Sequence, residues 1–454
     1  MSPSAKYDGT SECVNEKVNS HYHPNYQNSN LKSIVNTKKS SSELIAQALI
    51  NHISDIDHEV CEAGEEDSFF VCDLGQVYKS FQIWKQNLPQ VHPHYAVKCN
   101  TDIEVIKLLE QLGANFDCAS KNEIDTILNL GVSPDRIVYA NPCKTNSFIR
   151  HAKTSNVNLT TVDNCQELHK LSKFHPECGI LIRIATDDET AQCRLSTKFG
   201  CSIDSAINEL LPLANELGLK VRGVAFHVGS GAKDFDSINK AVKDARIIFN
   251  KGIEQYGYGD SMNILDIGGG FELETFEQSS LVVKSSLQEF FPQTFIEKYA
   301  IKFIAEPGRF MVSNAFTLAT HVIARRDIPQ SISEDITAMI YINDGVYGNM
   351  NCILFDHQHP QAFVLKHKDT FHYQEQKIVN DATKGKHKFS IWGPTCDGLD
   401  CVSTQTQLDY DVQVGDWIYF PNLGAYTSAA TTSFNGFKDK AHIIYVSSET
   451  IATK

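Results

Sequence analysis

Between His94 and Arg309 short apolar runs alternate with helical stretches eight times over, and no other feature constrains the fold as strongly. The apolar runs are YAVKC (95–99), FDCA (116–119), IVYAN (137–141), TTVD (160–163), ILIRI (180–184), GVAFHVG (223–229), ILDIG (264–268) and FIAEP (303–307). Helical patterns fall between most of them, at 103–112, 121–130, 164–174, 204–217 and 236–256. Eight strand–helix units in about 200 residues match the size of a (β/α)8 TIM-like barrel. A doubly wound open sheet shares that period, because periodicity alone does not say whether a sheet closes.

Past Ser313 the pattern changes. MIYIND (339–344), KFSIW (388–392), DWIYF (416–420) and HIIYVS (442–447) read as strands parted by turn residues, with few helical patterns between them. The fold class is therefore α/β: a barrel over 76–313 and a second, mostly antiparallel β-domain over 314–454. The polar stretch 370–387 reads as a surface loop. Ahead of the barrel, Ser40 and Glu43 have capping-box spacing before an apolar stripe at Ile45, Leu49 and Ile53. FFVCDLG (69–75) reads as a strand ending at Gly75, with a helix over 76–87. The segment 41–75 thus supplies a helix and a strand that joins the β-domain. Residues 1–40, rich in Ser, Asn and Lys without apolar period, are expected to be a disordered extension.

The charge balance of 41 basic against 55 acidic residues argues against a nucleic-acid binder held by phosphate contacts. No run of 18 apolar residues marks a membrane span, and MSPSAKYDGT lacks the layout of a signal peptide. The thirteen cysteines include no CxxC pair, so neither a disulfide framework nor a metal is expected, and the compartment reads as the cytoplasm.

In a (β/α)8 barrel the active site collects where the strands finish. The polar residues there are Lys98, Asp117, Asn141, Asp163, Arg183, His227, Gly268–Gly270 and Glu306. Each has a bland reading, as a solvated terminus, a tight turn or a satisfied core group. An amine flanked by apolar Val97 and Cys99 sits in a pocket where its pKa would drop, which suits a Schiff-base lysine. The triplet Gly268–Gly269–Gly270 fits neither the dinucleotide nor the P-loop spacing, but its backbone would cradle a phosphate. Arg309 reaches the same point from strand eight, and Ser230 could add a donor from strand six. Glu306, inside apolar FIAEPG, would be costly to bury unpaired; facing a pyridine nitrogen it would keep that nitrogen protonated. His227 could stack on such a ring. A Schiff-base lysine, a phosphate cradle and a carboxylate for a ring nitrogen together specify pyridoxal 5′-phosphate.

The motifs YAVKCN, FDCASKNEI, YANPCK, RIATDD, FHVGSG, LDIGGGF, AEPGRF, NDGVYGNMNCILFDH, WGPTCDGLD and NLGAYT resemble those of the eukaryotic ornithine decarboxylases. That family lies within the fold-type III pyridoxal-phosphate decarboxylases, and the likeness runs from about residue 69 to Phe437. It implies that Lys98 holds the cofactor and that Cys396 reprotonates the substrate carbon after CO2 leaves. The implied cofactor-binding set is Asp117, Arg183, His227, Ser230, Gly268, Gly269, Gly270, Glu306, Gly308, Arg309 and Tyr426, with Glu123 supporting it. Phe355, Asp356 and Asp397 resemble the substrate-binding positions, the two aspartates meeting the distal amine of L-ornithine. The family also implies a homodimer with shared sites, Cys396 and Asp397 coming from the partner chain and Lys198 pairing with Asp400 across the interface. An antizyme-type regulator is a further partner it suggests.

Two departures stand out. Phe355 replaces the tyrosine many members carry, and Glu272–Leu273 replaces the usual Pro-Gly after GGGF, neither at a position given a catalytic role. The competing readings are a related lysine, arginine or diaminopimelate decarboxylase, and a catalytically dead paralogue like the antizyme inhibitors. The expected activity is decarboxylation of ornithine to putrescine, the first step of polyamine biosynthesis.

Overall fold

The computed structural model describes residues 39–186, 196–229, 235–333, 335–373, 387–437 and 441–451. The described order opens with helix α1 (Ser41–Ser54), strand β1 (Phe69–Asp73) and helix α2 (Leu74–Asn87). The capping box forms: Ser40 Oγ accepts the Glu43 N–H at 3.3 Å and Glu43 Oε2 accepts the Ser40 N–H at 2.7 Å. The β1 strand stops two residues before the expected Gly75. Its last residue, Asp73, turns its carboxylate back to accept the Gly75 N–H at 2.9 Å, which starts α2 there.

Eight parallel strands then close into a barrel. They are β2 (Val91–Ala96), β3 (Asn115–Cys118), β4 (Ile137–Tyr139), β5 (Leu159–Val162), β6 (Gly179–Arg183), β7 (Lys220–Ala225), β8 (Ile264–Asp266) and β9 (Lys302–Ala305). Closure comes from β2, which pairs with both β3 and β9. The open-sheet alternative is thereby excluded. Strands such as Gly179–Ile182 are buried on both faces, which is why they read as continuous apolar runs rather than alternating ones. Most end earlier than the apolar runs do; β2 stops at Ala96 and β7 at Ala225.

The helix expected over 204–217 is not uniform. Ala206–Leu210 forms a π turn, with the Leu211 N–H reaching the Ala206 carbonyl, and Pro212 follows. Proline has no N–H for the usual carbonyl, so the ladder shifts by one residue ahead of it.

The second layer is a nine-stranded, mostly antiparallel sheet. Its later strands are β10 (Phe316–Asp327), β11 (Ala338–Ile342), β12 (Phe363–His367), β13 (Thr370–Phe371), β14 (His387–Trp392), β15 (Cys401–Leu408), β16 (Trp417–Phe420) and β17 (His442–Val446). The early strand β1 completes it, pairing antiparallel with β10 and parallel with β17. Of the polar stretch 370–387, residues 374–386 lie outside the described residues, as do 1–38.

Candidate active site

Where β2 ends, the chain makes a single 3-10 turn, Val97–Cys99, that buries its outer residues and turns Lys98 between them. That turn is locked to the sheet side of the molecule. The Tyr426 N–H donates to the Cys99 carbonyl at 2.9 Å, and Asn100 Nδ2 donates to the Gly424 carbonyl at 2.8 Å. Lys98 Nζ donates to Asp117 Oδ2 at 2.7 Å, and Asp117, at the end of β3, is fully buried. Burial opposes the charge on the Lys98 ammonium, but the Asp117 and Glu306 carboxylates outweigh it and raise its pKa above the ordinary lysine value. The drop expected from apolar neighbours is therefore corrected: the pocket around the amine is anionic.

Glu306, just past β9, is buried, and its N–H donates to the Gly268 carbonyl at 2.7 Å. Burial, then the Asp117 and Asp266 carboxylates, push its pKa well above the ordinary value. Asp266, at the end of β8, is pushed up to about 7 by its own burial. Two carboxyl groups buried side by side resist being ionised together. Sequence reasoning passed over Asp266, although its place two residues before Gly268 puts it at a strand end like the others. His227, after β7, is driven well below the usual imidazole range by burial, then by Arg183 and Lys98. It is neutral, and its Nδ1 accepts the Gly229 N–H at 3.1 Å.

The glycine triplet follows β8. Gly268 and Gly270 adopt φ of +67° and +91°, and a Cβ on Gly269 would lie 2.7 Å from the Glu306 carbonyl and 2.9 Å from His227 Nε2. Only glycine allows so close a backbone approach. Gly270, Gly308, Arg309, Tyr426, Lys98, His227 and Glu306 line one small cavity, together with Ala96, Phe271 and Glu272. Arg309 lies over the Tyr426 ring at 5.4 Å, and its buried Nε has no hydrogen-bond partner. Its Nη2 pairs with Asp356. Arg183 ends β6 and bears on Glu306, Asp266 and His227 through its charge. Glu123 Oε2 accepts the Ala119 N–H at 2.6 Å. Ser230 lies outside the described residues.

Pyridoxal phosphate fits this donor set. The unpartnered Arg309 Nε and the glycine backbone suit a phosphate, and a neutral imidazole and a buried carboxyl group suit an aromatic nitrogen heterocycle. Glu272, a departure from the family pattern that the sequence reading gave no catalytic role, sits at the site. It lines the cavity, with Oε1 3.8 Å from Arg309 Nε.

Other expected residues stand apart. Asn141 and Asp163 serve their own loops, Asn141 bonding Ala119 and Cys143 and Asp163 bonding Gly200 and Asn164. Cys396 is exposed on the 393–400 loop and is not among the residues lining the Lys98 cavity. Asp397 accepts from the Tyr347 hydroxyl, which lowers its pKa. Phe355 is 69% exposed, beside buried Asp356. Asp400 is buried and accepts from Val346 N–H, Thr395 N–H and Thr395 Oγ1 within the chain. Lys198 lies over the Phe199 ring at 4.8 Å.

Residues 74–313 match the model of the pyridoxal-dependent decarboxylase family, pyridoxal binding domain. The chain is 58% identical to the ornithine decarboxylase of Candida albicans over 91% of its length and 90% of that protein's. It is 54% identical to the ornithine decarboxylase of Saccharomyces cerevisiae, over 89% and 86%. Antizyme inhibitor 2 of Xenopus laevis is 43% identical over 85% and 82%. Among solved structures, the arginine decarboxylase of Paramecium bursaria Chlorella virus bound to agmatine superposes with a TM-score of 0.76 at 31% identity, over 89% of this chain and 100% of that one. The lysine/ornithine decarboxylase of Vibrio vulnificus complexed with putrescine gives 0.73 at 25%, over 88% and 98%.

Proposed function

We propose, on the premise that this chain belongs to the pyridoxal-dependent decarboxylases and to their ornithine decarboxylase branch, a mechanism in which the Lys98 cavity carries the chemistry. The enzyme converts L-ornithine to putrescine and CO2 with pyridoxal phosphate as cofactor. The observation that carries the residue assignments is the convergence of Lys98, Glu306, neutral His227 and Arg309 on one cavity at the strand ends, with Lys98 bonded to buried Asp117.

When bound, pyridoxal phosphate supplies an aldehyde for amines and a protonated ring that accepts the electron pair left as CO2 departs. The rest falls to the protein. Lys98 is the amine that holds the aldehyde, and Asp117 fixes its position. Glu306, once ionised, would stabilise the proton on the ring nitrogen. His227, uncharged, faces the ring without competing for that proton. Arg309, Tyr426, Ser230 and the backbone of Gly268–Gly270 and Gly308 hold the phosphate. Arg183 and Glu123 stabilise the walls. Asp356 receives the distal ammonium of ornithine, and Cys396 delivers the proton that replaces CO2.

Cys396 and Asp397 lie outside the cavity lining, which supports a homodimer in which a second copy supplies them, with Phe355 and Lys198 near the join. An antizyme-type regulator and a cytoplasmic location belong to the same reading.

Release of CO2 from ornithine, lysine, arginine and diaminopimelate by the purified protein with added cofactor tests the substrate. Ornithine should lead, with lysine behind by about 10- to 200-fold in kcat/KM, the worth of one methylene. Equal or faster turnover of another substrate, or none of ornithine, contradicts the assignment.

A further inference from the structure

Away from the cavity, strand β10 carries His321 beneath the loop that joins α1 to β1. His321 is buried with 7% of its surface exposed, and neither ring nitrogen has a hydrogen-bond partner. An imidazole so placed leaves an acceptor and a donor unsatisfied, which buried polar groups seldom do. Two further ligand-type side chains come down onto it from the loop. Glu66 Oε1 lies 3.9 Å from His321 Nδ1, and His58 pairs with Glu66 through its Nδ1. The His58 and His321 rings lie 5.0 Å apart, 22° from parallel. One ligand atom from each residue falls within 4.8 Å of the other two.

The backbone around the three is already fixed. The His321 N–H donates to Asn343 Oδ1 at 2.8 Å, and Asn343 Nδ2 donates to the Glu66 carbonyl at 2.6 Å. Asp416, another carboxylate whose charge acts on His321, is engaged elsewhere, bonding His367, the Lys368 N–H and the Gln413 N–H. Trp417 stacks on His321 at 5.0 Å.

We propose that His58, Glu66 and His321 form a binding site for a divalent ion of the zinc class, two imidazoles and a carboxylate with a fourth position open to water. Bonds of about 2.0–2.2 Å to such an ion put tetrahedral ligand atoms roughly 3.2–3.6 Å apart, so His321 and Glu66, at 3.9 Å, would close slightly and the tighter His58–Glu66 pair would open to admit the ion. The ion would engage one of the two unpartnered His321 ring nitrogens and pin the 55–68 loop to the sheet. Sequence spacing does not announce the site, since its ligands come from positions 58, 66 and 321.

The test uses the full-length holoenzyme stripped with a chelator and dialysed against zinc or cobalt. One zinc per chain should be retained, thermal stability should rise on adding it, and bound cobalt should show visible d–d bands without a sulfur charge-transfer band. His58→Ala and Glu66→Gln, both on the exposed side, should each weaken zinc binding by more than about tenfold, the lower end of what even an outer-shell partner costs; ornithine turnover of the variants reports that they fold. His321→Ala should abolish binding. No retained zinc, a sulfur band, or binding unchanged by His58→Ala and Glu66→Gln would overturn the site.

Discussion

Removing Lys98 does two things at once. It deletes the amine proposed to hold the cofactor, and it strips Asp117 of the partner on Oδ2 while Oδ1 is already unpartnered. A buried acceptor left unsatisfied costs about 1–3 kcal/mol, more when charged. Lys98→Ala should therefore lose both activity and about that much stability to urea. Lys98→Ala/Asp117→Asn should recover the stability and none of the activity. Equal stability of Lys98→Ala and wild type would mean that the Lys98–Asp117 pair adds nothing to stability. Asp266 gives a second test. Its pKa is raised from 3.8 to about 7 by burial, so the folded chain binds more protons than the unfolded one in that window. Its contribution to stability is full below about pH 4 and lost as pH rises through about 7. The cofactor-free protein should become less stable across that range, and Asp266→Asn should flatten the slope in denaturant titrations at several pH values. These residues were legible by type and place, Asp266 excepted. Their charge states were not, because Lys98 shows only Val97 and Cys99 as neighbours in sequence while Asp117 and Glu306 arrive from other strands.

Strand ends do the positioning, and their turns explain which elements the sequence disclosed. Buried parallel strands announce themselves as apolar runs, so all eight barrel strands were legible, though each run overshoots because the turn after it is buried as well. The twelve-residue β10 was not. Its first seven residues are buried whatever their parity, its last five are mostly exposed, and a bulge between Val322 and Ala324 breaks the register. No single period survives that change. Glu272 escaped notice for another reason: a departure from a family pattern does not say where the new side chain points. At the β8 turn, Gly269→Ala would force a methyl against the Glu306 carbonyl and His227. Such overpacking costs about 1–3 kcal/mol, and it falls on the two groups proposed to meet the ring. Cofactor titration followed by absorbance should show retention at least about tenfold weaker, at the 1.4 kcal/mol that a factor of ten represents. Unchanged retention would place the ring elsewhere.

At the scale of the molecule, the barrel supplies one half of the proposed site and the sheet exposes the other. The described cysteines are all free, and among the described residues no helix is long and apolar enough to cross a membrane. Exposed Leu399, on the Cys396 loop, and exposed Phe434 and Phe437, flanking the Asn435 that accepts the Cys396 N–H, are apolar surface that suits burial against a second copy. In the shared site proposed here, Lys98 of one chain works with Cys396 of another. Lys98→Arg keeps a permanent positive charge beside Asp117 without an amine that can take up the cofactor, and Cys396→Ala removes the proposed proton donor. Each variant alone should be nearly inactive, since every site carries one lesion. Mixed in equal amounts and allowed to exchange subunits, about half the dimers become hybrids, each with one site bearing both lesions and one bearing none. Activity on ornithine should then return to roughly a quarter of the wild-type value by the same counting. If size measurements show that the subunits exchange and activity stays absent, the two residues act within one chain and the shared site is wrong.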